Sequence, residues 1–247
     1  SRGVAGSMMW GKFKPRKWQS EALPKVIDAL RAGQKPIVSA IMGAGKSVLI
    51  AELAFRAQAK LQRNGVVVVS APRQTLRQLS KTLRGRGLKV GEFWAGKKNT
   101  DKPVIVACTA SMLELARVLD RQGKKVSMLV VDEVHSSEAE QFKTAYERME
   151  PACAVGFTAT PFRSNEAERL TLWDTVVYRY SAGDALRDKA IVPWTLKHWD
   201  GQGEASDVDR ICMDMIRHNT KMREPGIVSA LDIEDAESYA RYLTQNG

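Results

Sequence analysis

Residues 36–58 read PIVSAIMGAGKSVLIAELAFRAQ, and a change of period within this stretch decides the fold. Ile37-Val38-Ser39-Ala40-Ile41 is a short apolar run of the kind that forms a buried strand. Gly43 and Gly45 then make a flexible turn, and Lys46 and Ser47 open a stretch of helical apolar spacing that runs to about Arg63. A strand passing through glycines into a helix start gathers backbone N–H groups and the positive end of the helix dipole at one point, which suits an anion. In AIMGAGKS, residues 40–47, Ala40 stands where the common phosphate-loop pattern has glycine. Met42, Gly43, Ala44, Gly45, Lys46 and Ser47 are the expected triphosphate contacts. Lys46 would reach the β- and γ-phosphate oxygens, and the Ser47 hydroxyl would bind Mg²⁺. A chance glycine-rich helix start is the plainer alternative, and the flanking strand and helix patterns argue against it.

Outward from this loop, helical and extended patterns alternate. A helix is predicted over about 17–32, closed by Gly33. Val66-Val67-Val68-Val69 follows the turn at Asn64-Gly65, and a run without polar residues suits a parallel strand covered on both faces. A helix to about Leu83, strands at 88–93, 103–107, 126–131 and 153–157, and helices near 110–121 and 136–149 continue the rhythm. It predicts an α/β domain with a mostly parallel sheet. Beyond about 165 the rhythm weakens. TVVYRY and IVPWTLKHW look extended, helical patterns return near 206–219 and 233–245, and Gly226-Ile227-Val228-Ser229-Ala230 reads as another strand leading into a helix.

Composition bounds what such a domain can be. The 247 residues are 44% apolar and 27% charged, as in soluble globular proteins. No apolar run approaches the roughly 20 residues that span a bilayer, and the start lacks a secretory pattern. Cys108, Cys153 and Cys212 are far apart without metal-ligand spacing, and read as reduced thiols of an intracellular protein. Residues 1–7, SRGVAGS, read as a cloning remnant ahead of Met8. The net charge of +10 is unevenly placed: residues 1–102 hold 21 Lys/Arg against 5 Asp/Glu, and residues 103–247 hold 17 against 23. A basic half points to a polyanionic partner, with a merely soluble basic surface as the alternative.

Two further strand ends carry chemistry. Ser127-Met128-Leu129-Val130-Val131-Asp132-Glu133-Val134-His135 is an apolar strand ending in two acids. In phosphate-loop enzymes the first acid, here Asp132, holds Mg²⁺. The next, Glu133, is placed to orient and deprotonate an attacking water. His135 is a candidate link from this turn to other motifs. Gly156-Phe157-Thr158-Ala159-Thr160-Pro161 is a strand ending in hydroxyl residues that can hydrogen-bond the acidic turn. Taken alone, it is an ordinary strand exit stopped by proline.

In this order GAGKS, DEVH and TATP resemble motifs I, II and III of superfamily 2 helicases and translocases. Phe13-Lys14-Pro15-Arg16-Lys17-Trp18-Gln19 looks like the family's adenine-recognising motif, which implies that Gln19 takes the adenine edge with Arg16 nearby. Ser70-Ala71-Pro72-Arg73-Gln74-Thr75-Leu76 and Cys108-Thr109-Ala110-Ser111 resemble two strand-capping motifs that contact the nucleic-acid backbone, which implies that role for Arg73 and Thr109. Thr158 and Thr160 would couple hydrolysis to lobe movement, with His135. The resemblance covers about residues 12–164. GAGKSVLIAELA, with DEVH and FTATPFR, is similar to bacterial DNA-repair helicases of the RadD type and to restriction-enzyme translocase subunits, whereas DEVH and TAT match DEAD-box RNA helicases less well.

The resemblance implies a RecA-like lobe over 8–165, an inter-lobe linker over 166–225 and the start of a second RecA-like lobe over 226–247. It further implies ATP and Mg²⁺ as cofactors, a nucleic-acid partner with DNA favoured over RNA, no membrane, and residence in the cytoplasm of a bacterium or phage-infected cell. The family's motifs V and VI have no counterpart in the chain, and motif VI arginines are worth roughly 10³–10⁵ in rate. Weak hydrolysis by these 247 residues alone is therefore expected. A nucleotide-gated nucleic-acid-binding module and a phosphate-loop enzyme acting on a small molecule are the alternatives.

Overall fold

The computed structural model describes residues 9–61, 64–159 and 170–191, together with 237, 240, 241 and 244. The chain divides into two compact units, Ser1–Val192 and Pro193–Gly247. In the second, the described residues are helical and Thr244 donates to the Ala240 carbonyl at 2.8 Å. The expected strand at 226–230, the helix near 206–219 and Thr160 lie outside the described residues.

The first unit runs α1 (Lys17–Arg31), β1 (Pro36–Ala40), α2 (Lys46–Gln58), β2 (Gly65–Ala71), α3 (Leu76–Gly85), β3 (Val90–Trp94), β4 (Lys97–Lys98), β5 (Val104–Cys108), α4 (Met112–Arg121), β6 (Lys125–Asp132), α5 (Glu140–Met149), β7 (Ala154–Thr158), β8 (Thr175–Tyr180) and α6 (Ala182–Arg187). The strands form one sheet in the order β4-β3-β5-β2-β6-β7-β1-β8. Every pairing is parallel except the β3–β4 hairpin. Among the described residues no helix is long and apolar enough to cross a membrane.

The four valines of β2 show why the sheet is covered twice. Val67 and Val69 pack with α1, α2 and α3, whereas Val66 and Val68 pack with α4 and α5. Successive side chains of a strand face opposite ways, so a strand apolar at every position needs helices on both faces. Each buried valine contributes roughly 1.5–3 kcal/mol.

Three elements differ from the sequence expectation. The helix predicted from 136 begins at Glu140, after a 3₁₀ turn over Val134–Glu138. Ser136 and Ser137 donate to the Glu133 and Val134 carbonyls at 2.8 and 2.6 Å, and such local bonds compete with an α-helix start. Thr175–Tyr180, inside the stretch expected as linker, is hydrogen-bonded into the sheet beside β1. Finally, Lys97-Lys98 forms β4, turned back on β3 at Gly96 with φ 77°.

Helix α2 is tied to the end of α3 by a buried carboxylate. Glu52 accepts from Arg56 Nε at 2.7 Å and from Arg86 Nε at 2.6 Å, and the Arg86 guanidinium lies 3.4 Å from the Phe55 ring centroid. The Arg86 side chain is 13% exposed and that of Arg56 is 43% exposed. Glu52→Ala leaves the Arg86 charge buried without a partner and is expected to lower unfolding free energy by roughly 3–5 kcal/mol in urea denaturation. Arg56→Ala, which leaves the Arg86 pair intact, should lower it by no more than about 1 kcal/mol.

A candidate nucleotide site at the carboxyl ends of the strands

The glycine-rich loop leaves β1 and enters α2 through two left-handed residues, Gly43 at φ 78° and Gly45 at φ 91°. Gly45 caps α2, so the free N–H groups of the helix face the loop. A Cβ at Gly45 would also lie 3.1 Å from Gln19 Nε2. Conformation and space thus both require glycine there.

The start of α1 braces the loop from outside. Arg16 Nη1 donates to the Ala44 carbonyl at 2.9 Å and to those of Gly43 and Ala190 at 3.4 and 3.5 Å. Trp18 Nε1 donates to the Ala44 carbonyl at 3.1 Å, and its ring stacks on Tyr180 with centroids 5.1 Å apart. Gln19 is 1% exposed; its Nε2 donates to the Gly45 carbonyl at 2.9 Å, and its Oε1 accepts from the Arg16 backbone N–H at 2.7 Å. The amide expected to read adenine thus also ties the start of α1 to the loop, with one N–H and one lone pair left over. Trp18 and Tyr180 were not anticipated as site residues. The aromatic directly before Gln19 was the available signal for the first, and no sequence signal marked the second.

Across β7 from this loop, β6 ends at the acidic pair. Glu133 is left-handed, with φ 62° and ψ 72°, an uncommon conformation for a residue with a side chain. Its Oε1 is 2.8 Å from Lys46 Nζ, with the two side chains 21% and 11% exposed. The loop and the acidic turn, 87 residues apart, are thus in direct contact. His135 Nδ1 is 3.7 Å from Glu133 Oε2.

Asp132 is buried, and among the described residues its Oδ1 has no hydrogen-bond partner. Burial pushes its carboxyl up from 3.8 to about 6; Lys46 pulls the other way and Glu133 adds to the rise. A buried carboxylate oxygen without a partner among the described residues, within the field of Lys46 at the start of α2, fits a divalent cation. Among the described residues no three His, Cys, Asp or Glu side chains gather as a self-sufficient metal cage.

The same burial sets a pH dependence. The folded chain holds the Asp132 proton more tightly than the unfolded chain. This favours folding fully below about pH 3.8 and is lost as pH rises through about 6. A difference of about two pH units corresponds to about 3 kcal/mol. With a chelator present, Asp132→Asn should raise unfolding free energy by about 2–3 kcal/mol at pH 7.5, and the gain should vanish near pH 4. Denaturant titrations at the two pH values measure it.

The other expected residues divide. Thr158 is fully buried at the end of β7, in register with Ser39 of β1, between the loop and the acidic turn. Thr109 lies after β5, and its hydroxyl is 3.2 Å from that of Ser70 at the end of β2. Arg73 is exposed in the turn after β2. All three stand at carboxyl ends of parallel strands, where open α/β sheets bind ligands. Lys97 and Lys98 are ion-paired with Glu92 and Glu114 and lie over the rings of Trp94 and Phe93.

This sheet, with its glycine loop facing an acidic turn across the middle strand, is a RecA-like lobe of the superfamily 2 helicases and restriction translocases. The sequence pattern of the family described as "Type III restriction enzyme, res subunit" matches residues 12–163, and the chain belongs to that family. No curated protein matches it significantly.

Solved structures share the fold at low identity. The Type ISP restriction-modification enzyme LlaGI, a nuclease-deletion mutant in complex with a DNA substrate mimic, is 14% identical over 84% of this chain and 23% of that one, with a TM-score of 0.58. LlaBIII, an ATP-dependent Type ISP restriction-modification enzyme bound to DNA, is 13% identical over 72% and 16%, at 0.56. The Sulfolobus solfataricus SWI2/SNF2 ATPase core in complex with dsDNA is 14% identical over 96% and 59%, at 0.54. The chain spans a quarter or less of the two restriction enzymes.

Proposed function

We propose that this chain carries the catalytic lobe of an ATP-dependent nucleic-acid helicase or translocase, acting on DNA in preference to RNA. The observation that carries the reading is the 2.8 Å pair between Lys46 and Glu133 beside the unpartnered Asp132 oxygen. A purely structural ion pair does not need a glycine nest on one side and an orphaned buried carboxylate on the other.

The roles follow from that arrangement. The N–H groups of residues 43–47 and the Lys46 ammonium bind the triphosphate of ATP. Ser47 and Asp132 hold Mg²⁺, which neutralises phosphate charge when bound. Phosphate oxygens compete with Glu133 for Lys46, so nucleotide binding frees the Glu133 carboxylate to hold a water and take its proton. Thr158, with Thr160 and His135, passes the state of this turn to the rest of the protein. Arg73 and Thr109 contact the backbone of the nucleic acid. The basic first half of the chain suits either polyanion, and the preference for DNA rests on analogy with the family and with the DNA in the similar structures.

The test is ATP turnover by the chain alone and with single-stranded DNA, duplex DNA or RNA, with Lys46→Ala as control. Lys46-dependent stimulation by one polymer identifies the substrate. Binding of MgATP and salt-sensitive binding of nucleic acid, without stimulation even in a longer form with both lobes, would favour the nucleotide-gated binding module instead. Turnover indifferent to every polymer in a longer form with both lobes would point to a small-molecule substrate.

A further inference from the structure

Glu133 is the residue whose exact place matters most, yet its left-handed backbone is intrinsically disfavoured. Such a conformation persists only where its surroundings over-determine it. Three residues outside the acidic motif supply those surroundings. Gly156, in the middle of β7, has no positive φ, so conformational freedom does not explain the glycine. Space does: a Cβ there would lie 2.3 Å from Val134 Cγ1 and 3.2–3.3 Å from atoms of the Trp173 ring. Val134, 1% exposed, drops its side chain into the gap that this missing Cβ leaves.

The other side of the turn is pinned by a short relay. The Ser137 hydroxyl is fully buried and donates to the Val134 carbonyl at 2.6 Å. It accepts from Trp173 Nε1 at 3.0 Å. Trp173 is 7% exposed and is anchored through its neighbour, whose N–H donates to the Lys35 carbonyl at 3.0 Å, just ahead of β1. The residue directly after Glu133 is thus fixed by its side chain against β7 and by its carbonyl through Ser137 and Trp173.

We propose that Gly156, Trp173 and Ser137 are positioning residues that set the Glu133 carboxylate against Lys46 by seating Val134. None of the three reaches the reacting groups; each acts through Val134. Gly156 is paired with Val131 of β6 and with Ile37 of β1. A shift of β7 along its neighbours therefore moves the seat and the carboxylate together. The catalytic consequence rests on the reading of Glu133 as general base, whereas the positional claim does not.

The experiment compares Gly156→Ala, Val134→Ala and the double variant in the 247-residue chain, with crystal structures alongside turnover. In Gly156→Ala the Lys46–Glu133 pair should open, and kcat should fall about 10–100-fold with KM within threefold. Removing the Val134 methyls makes room for the new Cβ, so the double variant should restore the pair and recover most of the loss. A general folding defect would not be rescued by a second core truncation. If Gly156→Ala does not fold, Trp173→Phe keeps an aromatic ring but cannot donate to Ser137, and should lower kcat about threefold to tenfold at unchanged KM. A Lys46–Glu133 pair still at 2.8 Å in Gly156→Ala, or in Trp173→Phe where that variant stands in, overturns the proposal. So does a loss of kcat that the double variant fails to recover. Absence of Lys46-dependent turnover in a longer form with both lobes would retire the functional reading, and the crystal structures would still decide the positional one.

Discussion

Lys46→Ala is expected to lower ATP turnover by at least about 10²-fold and to weaken triphosphate binding, while the chain keeps its fold. Lys46 opens α2 with its side chain 11% exposed, and its ammonium lies against Glu133 at 2.8 Å. Alanine is the best helix former, so α2 loses nothing locally. What is lost is the positive side chain that links the glycine loop to the acidic turn. Its charge acts in a site of low dielectric, where removing one transition-state contact is worth about 2.7–4 kcal/mol, or 10²–10³ in rate. Isothermal titration with ATP and a coupled phosphate-release assay measure the two effects, and circular dichroism checks the fold. Turnover within threefold of wild type would remove Lys46 from the mechanism.

Glu133→Gln separates binding from chemistry. The amide keeps the length and the hydrogen-bonding reach of the carboxylate but cannot take a proton. General-base catalysis contributes typically about 10²–10⁴-fold, and kcat should fall by that factor. ATP affinity should hold or improve, because the carboxylate that competes with phosphate for Lys46 is gone. Single-turnover hydrolysis with a pre-bound nucleotide isolates this step. Retained hydrolysis would sink the general-base assignment and move attention to other groups near Asp132.

Much of this site was legible in the sequence because each motif sits where a parallel strand ends. The period changes at GAGKS, at DEVH and at GFT, so both the sheet and its carboxyl edge could be placed. Less legible were the contacts that depend on packing between distant elements. Gln19 reads as a base-recognition residue from its motif, and only the fold shows its amide also holding the Arg16 N–H and the Gly45 carbonyl. The partner of Lys98, Glu114, is 16 residues away and approaches only through the fold. Gly156 looks like one more strand glycine until Val134 is seen filling its space. Thr175–Tyr180 has strand character by itself, but only the open edge of β1 explains where it pairs.

That last strand has a mechanical meaning. The Ile41 N–H donates to the Tyr180 carbonyl at 3.1 Å, and ten residues later Arg16 holds the Ala190 carbonyl with the same guanidinium that grips Gly43 and Ala44. The backbone leaving the first unit therefore crosses the rim of the glycine loop before passing Val192. Any displacement of the segment after α6 would therefore be felt at Gly43 and Ala44 through the Arg16 guanidinium, without crossing the sheet.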